Sequence, residues 1–107
     1  MRKAEIFRNK KLVGILTEEN QQSYVFRYED GWFQDVTKPA ISLTLPKRQQ
    51  EYRSPYLFPF FYNMLSEGVN KQLQCRQLQI DENDSFGLLI ATAEFDTIGA
   101  ITVKNLG

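Results

Sequence analysis

The first 28 residues constrain the fold most strongly, because they hold three strand-like segments separated by two short polar breaks. Residues 3–8 and 11–17 are predicted to form a hairpin around Asn9-Lys10, since asparagine tolerates the left-handed backbone that a tight turn requires. A polar turn is predicted at 18–22 and a third strand at 24–28. Because alternate side chains of a strand share a face, this third strand predicts an aromatic face of Tyr24, Phe26 and Tyr28.

The chain up to residue 53 extends this sheet prediction. Gly14 interrupts the second strand and indicates a β-bulge or a close backbone approach. A turn at 29–31 leads to Trp32-Phe33, and residues 41–45 then alternate as Ile-Ser-Leu-Thr-Leu, which predicts a fourth strand ended by the following proline. Residues 47–53 are locally basic, and we interpret them as a solvated loop in preference to a phosphate contact.

The middle of the chain changes to helical periodicity. From 57 to 68, residues recur at the spacing of one helix face, namely Leu57, Phe60, Phe61, Met64, Leu65 and Gly68. Pro59 is tolerated only in a first turn, so this helix is predicted to begin near Phe58 and to stop at Gly68. A second, more polar helix is predicted over 69–79. Its inward-facing candidates are Val69, Leu73 and either Cys75 or Leu78.

The C-terminal part is predicted to return to the sheet. Asn83-Asp84-Ser85 offer capping side chains for a helix over 86–93. A turn at 96–99 then leads into a closing strand over 100–103. The expected fold class is α+β: a single domain over 1–107 with a small antiparallel sheet or partial barrel and two or three short helices.

Composition indicates one globular domain in a reducing compartment. The chain has 107 residues, one cysteine and 42% hydrophobic residues, so it can fold without a disulfide. Lysine and arginine number 13, as do aspartate and glutamate, whereas an independent nucleic-acid-binding domain normally carries a basic excess. Direct nucleic-acid binding is therefore not expected. No signal peptide or membrane-spanning run is recognisable, which predicts a cytoplasmic protein without membrane contact.

Residue chemistry argues against an independent enzyme. The chain has no histidine, so histidine-based triads and histidine-ligated metals are excluded. Cys75 is interpreted as a packed cysteine in preference to a reactive thiol. The acidic run at 81–84 lacks the glycine and distal glutamate of an EF-hand, and Asp84 is better explained as a helix cap. Phosphate-binding glycine loops are missing as well, so no catalytic residue, cofactor or metal is expected.

Five stretches of the chain carry motifs in a fixed order. They are Val13-Gly14-Ile15-Leu16-Thr17; Tyr24-Val25-Phe26-Arg27-Tyr28 with Trp32; Ile41-Ser42-Leu43-Thr44-Leu45-Pro46; Phe60-Phe61-Tyr62-Asn63-Met64-Leu65-Ser66-Glu67-Gly68; and Asp84-Ser85-Phe86-Gly87-Leu88-Leu89 with Asp96 and Gly99-Ala100. Together they resemble the N-terminal subdomain of the HipA-like serine/threonine kinases of bacterial toxin–antitoxin systems. Ser66 stands where the family usually has a proline, so the loop tip there is expected to differ.

The resemblance implies a non-catalytic role. In the full-length kinases this subdomain continues into the catalytic core, whereas this chain ends at Gly107, so no catalytic residue is carried over. In split operons of HipBST type, a small HipS-like protein corresponds to the subdomain and a shortened kinase carries the active site. The resemblance therefore implies an antitoxin that binds and inhibits a separate HipT-type kinase, with a HipB-type DNA-binding protein completing the complex.

Partner-binding residues are expected where the first predicted helix ends. Phe58 and Tyr62 are the aromatic candidates for exposure. The loop that follows supplies Ser66, Glu67, Gly68, Val69 and Asn70. A standard interface buries about 800 Å² per partner around an aromatic-rich centre, and this segment is expected to supply part of it. The other interpretation is that Gly68 only terminates a helix.

The sequence leaves two functional alternatives open. In the first, the chain is the excised N-terminal subdomain of a full-length HipA-like kinase. In the second, it is an adaptor that links the kinase to its DNA-binding antitoxin without inhibiting the kinase.

Overall fold

The computed structural model describes residues 1–65, 68–92 and 101–106, with the backbone alone at 68–69. The strands are β1 (Arg2–Arg8), β2 (Lys11–Asn20), β3 (Ser23–Tyr28), β4 (Glu51–Ser54) and β5 (Ile101–Asn105). The helices are α1 (Asp30–Gln34), α2 (Pro59–Tyr62), α3 (Gly68–Leu78) and α4 (Ser85–Thr92). In space the strands follow the order β4-β3-β2-β1-β5, and every neighbouring pair is antiparallel. The predicted α+β class with an antiparallel sheet is confirmed.

The β1–β2 hairpin forms as its turn residues predict. Asn9 and Lys10 have positive φ angles of 50° and 69°, the left-handed pair that a two-residue hairpin turn requires. The strand pairing shifts between Ile6 and Phe7, beside Gly14, and this shift is the bulge that the glycine indicates. A Cβ atom at Gly14 would lie 2.3 Å from the backbone oxygen of Arg27, so the backbones also approach closely there.

The prediction of a turn over 18–22 is wrong in its extent, because β2 continues to Asn20. Glu18 stays in the strand although it is charged, since its carboxylate is buried and fully partnered. Arg2 Nε donates to it at 2.8 Å and the Tyr24 hydroxyl donates at 3.1 Å.

The segment predicted as a turn at 29–31 belongs mostly to a short helix, α1. Glu29 caps this helix, because its carboxylate accepts the backbone N–H of Trp32 at 3.0 Å. The Trp32 ring is buried, and its Nε1–H donates to the Pro39 carbonyl at 2.9 Å. The helix therefore holds the loop that follows it against the sheet.

The strand predicted over 41–45 does not form. Ile41 and Leu45 are buried, but Leu43 between them is 99% exposed. The hydroxyl of Tyr28 accepts a hydrogen bond from Ile41 N at 3.1 Å and donates one to the Leu45 carbonyl. One buried tyrosine therefore satisfies the backbone at both ends of this segment, and the segment takes no place in the sheet.

A strand that the sequence did not predict, β4, takes the edge position instead. The solvated-loop prediction for 47–53 is therefore wrong for Glu51–Ser54, which pairs with β3. Tyr52 lies opposite Phe26, and its hydroxyl donates to the Pro46 carbonyl at 2.5 Å. An edge strand of polar residues gives a weak sequence signal, because it needs no alternating apolar face.

The core lies between the sheet and helices α2 and α4. Its fully or almost fully buried large side chains are Tyr28, Phe26, Phe61, Phe86, Ile6, Leu16, Leu88, Leu89, Val13 and Val103. The predicted aromatic face of β3 is confirmed, because all three of its rings are buried. Phe26 is the hub, with ring centroids 4.9 Å from Tyr28 and 5.6 Å from Phe61. Helix α2 is thereby fixed on the sheet by aromatic contacts.

The predicted end elements are confirmed within the described residues. Helix α4 begins at Ser85, and Asp84 caps it by accepting the Gly87 N–H at 3.0 Å. Strand β5 pairs with β1, which places the C-terminal segment at the edge opposite β4. The turn predicted at 96–99 lies outside the described residues.

Candidate partner-binding surface

The predicted helix over 58–68 is much shorter than its periodicity suggested. Helix α2 ends at Tyr62. In the next turn, Met64 N donates to Phe61 O at 3.1 Å and Leu65 N donates to Tyr62 O at 3.1 Å. These are bonds three residues apart, typical of a 3₁₀ turn, and they bring Leu65 into the core. Gly68 begins α3 and does not terminate a helix, so that prediction is wrong.

Phe58 is buried, so the expectation that it is exposed is wrong. It precedes Pro59, which favours an extended backbone, and its φ of −56° and ψ of 137° follow that preference. The Phe58 ring meets Phe61 edge-on at a centroid distance of 6.4 Å and is only 7% exposed. Phe58 therefore anchors the start of α2 in the core.

Tyr62 and Asn70 are exposed, as expected of partner-binding candidates. The Tyr62 side chain is 45% exposed, and the Lys71 ammonium lies 5.9 Å from its ring centroid. This cation–π contact connects α2 to the first half of α3. Ser66 and Glu67 lie outside the described residues, and only the backbone is described at Gly68 and Val69. A partner-binding role for the predicted residues stays a prediction.

Helix α3 turns one narrow face to the core. Cys75 is the buried anchor and is a packed free thiol, whereas Leu73 and Leu78 are 47% and 45% exposed. Leu73 is therefore not inward, contrary to the prediction, and of the two alternatives Cys75 is the correct one. Since residues two apart on a helix point about 200° apart, burial of Cys75 turns Leu73 outward.

These residues define a candidate contact region, which we call the α2–α3 surface. It consists of Tyr62, Asn70, Lys71 and Leu78. Lys71 and Leu78 are seven residues apart and share one side of α3, whereas Leu73 is exposed on the other side. The region combines an exposed aromatic ring and an exposed leucine with a cation, on helices that are anchored by Phe61 and Cys75. Sequence reasoning missed Leu78, because it offered this residue only as a candidate for the buried face.

A second notable feature is a polar cluster beside a surface cleft of about 480 Å³. Arg2 donates to both carboxylate oxygens of Asp84, at 3.0 and 2.7 Å, and also contacts Glu18, which accepts from Tyr24. The hydrogen bond from Arg2 lowers the pKa of Asp84, whereas burial and the bond to Glu18 raise the pKa of Tyr24. The cluster ties β1, β2 and β3 to α4.

The cluster is better suited to stabilising the fold than to catalysis, since its charged groups are hydrogen-bonded to one another. Sequence reasoning identified Asp84 as a cap but missed its ion pair, because Arg2 is 82 residues away. In the part of the chain that the structure describes, no three histidine, cysteine, aspartate or glutamate side chains gather as metal ligands. The same residues contain no helix long and apolar enough to cross a bilayer.

Comparison with known proteins places this geometry in a family. The sequence model of the HipA N-terminal domain matches residues 4–104. The chain belongs to the HipA N-terminal domain family. This domain is not the catalytic part of the kinase, and the family is a toxin-related one.

Individual relatives agree with the family assignment. An uncharacterized protein of Haemophilus influenzae is 28% identical over 104 residues, which cover 97% of this chain and 92% of that protein. The putative kinase Y4mE of Sinorhizobium fredii is 27% identical over 79 residues, which cover 74% of this chain but only 19% of the kinase. A solved structure described as the N-terminal domain of HipA toxin superposes with a TM-score of 0.75 at 27% identity, covering all of this chain and 94% of that one.

Proposed function

We propose that this chain is a non-catalytic, HipS-like antitoxin that binds and inhibits a separate HipA-like serine/threonine kinase of HipT type. The observation that carries the proposal is the family match over residues 4–104, since almost the whole chain corresponds to a domain that accompanies a kinase core in its relatives. The alignment with part of the putative kinase Y4mE supports a kinase-related partner. A HipB-type DNA-binding protein is proposed as a third member of the complex.

The α2–α3 surface is proposed as part of the kinase contact. Tyr62 and Leu78 keep large apolar areas in water although both lie on anchored helices. Aromatic and apolar side chains on a preorganised support are the usual centre of a protein interface, because little entropy is lost when they bind. Lys71 beside the Tyr62 ring adds a charge that favours an acidic group on the partner.

Inhibition is proposed to act through the connection between α2 and α3. The predicted partner residues 66–70 begin four residues after Tyr62 in the sequence. The resemblance implies that in the full-length kinases this region lies near the nucleotide-binding side of the catalytic core. A separate domain that docks there lacks the effective concentration a covalent linker provides, so it needs sufficient affinity of its own. Replacing Glu67 and Val69 together is expected to weaken kinase binding without unfolding the domain.

Co-expression with the neighbouring HipA-like kinase tests the proposal, with growth and co-purification as the two readouts. Restored growth together with a stable complex is the expected result. A stable complex without restored growth would contradict inhibition and favour the adaptor alternative. Absence of both would contradict the proposed function.

The excised-subdomain alternative has support from the Y4mE alignment, which covers only 19% of that kinase. It predicts that the matching kinase contains its own copy of this domain. The antitoxin proposal predicts a kinase partner that lacks the domain and is active when this chain is absent. Kinase assays on the isolated partner, with and without added chain, separate the two.

A further inference from the structure

The sheet has an open edge at β4. This strand pairs with β3 on one side and is the last strand in the order of the described sheet. Tyr28 N donates to Gln50 O at 2.9 Å, which fixes how the two strands are bonded. Since backbone groups alternate in direction along an antiparallel strand, the N–H and C=O groups of Tyr52 point toward β3, whereas those of Glu51 and Arg53 point away from it.

Most of these outward backbone groups have no partner among the described residues. The Gln49 side chain reaches one of them, since its Nε2 donates to the Glu51 carbonyl at 2.6 Å. A carbonyl oxygen has two lone pairs, so this oxygen can accept a second hydrogen bond. The Glu51 N–H and both backbone groups of Arg53 form no hydrogen bond with another described residue. An edge of this kind can pair with a strand of another chain.

The charges of β4 are complementary to those of a second β4. Glu51 and Arg53 lie on the same face of the strand, because they are two residues apart. When two β4 strands pair antiparallel around Tyr52, Glu51 of each copy lies opposite Arg53 of the other. A shift of two residues would place Glu51 opposite Glu51 or Arg53 opposite Arg53, and like charges directly opposite are destabilising. A shift of one residue would place outward backbone groups opposite inward ones.

We propose that two copies of this chain associate through their β4 strands, paired antiparallel about a twofold axis at Tyr52. The backbone groups of Glu51 and Arg53 then bond between the copies, and the two glutamates lie opposite the two arginines. Because each copy uses the same edge, the assembly closes at a dimer. The chain has zero net charge, so the copies do not repel each other. The contact uses residues outside the α2–α3 surface and needs no kinase.

The dimer is expected to be weak, because β4 has only four residues and small interfaces are typical of transient complexes. The Arg53 guanidinium already lies 3.1 Å from Glu19 and 3.5 Å from Glu51 in its own chain. Association therefore exchanges these exposed ion pairs for others, and the charges select the register more than they add affinity.

Sedimentation equilibrium of the chain alone tests the proposal, over concentrations from about 10 μM to about 1 mM, where weak association is measured. The average mass of the wild type should rise toward that of a dimer. Glu51→Arg and Arg53→Glu should each weaken association at least about tenfold, because each places like charges opposite one another. A mixture of the two variants should associate again, since every cation then lies opposite an anion.

Lys104→Glu is the matched control. Lys104 is exposed on β5, the strand at the other edge, and its replacement changes the net charge as Arg53→Glu does. Association should stay unchanged in this variant. Equal weakening by Lys104→Glu, or a mixture of the two β4 variants that does not associate, would overturn the proposal.

Amide hydrogen exchange of the wild type gives a second readout that needs no variant. Exchange at Glu51 and Arg53 should slow as the concentration rises, because their N–H groups gain partners in the dimer. Tyr52 should change less, since its N–H points toward β3. A monomeric mass at every concentration would overturn the proposal. Slower exchange at this edge only after the kinase is added would also overturn it, and would assign the edge to the kinase.

Discussion

Strand β3 and helix α3 use their side chains in opposite ways. Four of the six residues of β3 are buried, and Phe26 at its centre is completely enclosed. In α3, by contrast, Cys75 is the buried anchor, and Leu73 and Leu78 are close to half exposed. Since apolar burial is the main favourable term in folding, β3 stabilises the domain, whereas the outer side chains of α3 stay in contact with water and contribute less to stability.

The largest effect on stability is expected from removing the ring of Phe26, at the centre of the core face of β3. Phe26→Ala should lower the free energy of unfolding by about 3–5 kcal/mol, because the ring contacts both Tyr28 and Phe61. Urea unfolding followed by circular dichroism measures this loss. A change below about 1 kcal/mol would mean that β3 is not the centre of the core.

An intermediate effect on stability is expected at Asp84, whose ion pair with Arg2 connects the sheet to α4. The pKa of Asp84 is lowered mainly by its hydrogen bond with Arg2. The Asp84 carboxylate therefore stabilises the folded state fully above its unfolded-state pKa of about 4. This stabilisation is lost as pH falls through the lower folded-state pKa of Asp84. Asp84→Asn keeps a capping side chain but removes the charge, and should cost about 1 kcal/mol at neutral pH, since the ion pair is partly exposed.

Urea unfolding of the wild type and Asp84→Asn across pH measures this contribution. The difference between the two proteins should be largest near neutral pH and should disappear in acid. Asp81→Asn is the control, because Asp81 lines the same cleft but is exposed and forms no ion pair with any other residue that the structure describes. A difference that persists unchanged in strong acid would show that the charge of Asp84 does not stabilise the fold.

The smallest effect is expected on the outer face of α3. Leu73→Ala should change the free energy of unfolding by no more than about 0.5 kcal/mol, because the side chain is 47% exposed and alanine favours helices. Urea unfolding followed by circular dichroism measures this change in the free energy of unfolding. A loss comparable to that of Phe26→Ala would mean that Leu73 belongs to the core and is not free to bind a partner.

The contrast between the two regions also explains what the sequence could predict. The hairpin and the aromatic face of β3 follow from local signals: a left-handed turn at Asn9-Lys10 and an aromatic ring at every second residue from Tyr24 to Tyr28. The segment at 41–45 alternates equally well. It stays out of the sheet because the hydroxyl of Tyr28, 13 residues before Ile41, accepts a hydrogen bond from its backbone. A hydrogen bond between residues so far apart cannot be predicted from the local sequence pattern.

The candidate surfaces were harder to predict for the same reason. Periodicity located α2 and α3 in the right part of the chain, but the 3₁₀ turn after Tyr62 and the outward direction of Leu73 depend on how the helices rest on the sheet. Local pattern therefore predicts elements, whereas tertiary packing decides which side chains stay exposed.

The most direct test of the account is a calorimetric titration of the HipA-like kinase with this chain and with a Tyr62→Ala/Leu78→Ala double variant. The wild type should bind, and the double variant should bind at least about tenfold more weakly while its stability stays close to that of the wild type. Tyr56→Ala serves as the control, since Tyr56 is a more exposed aromatic outside the α2–α3 surface, at 76%. Equal affinity of the wild type and the double variant would contradict the proposed contact, and absence of wild-type binding would contradict the proposed function itself.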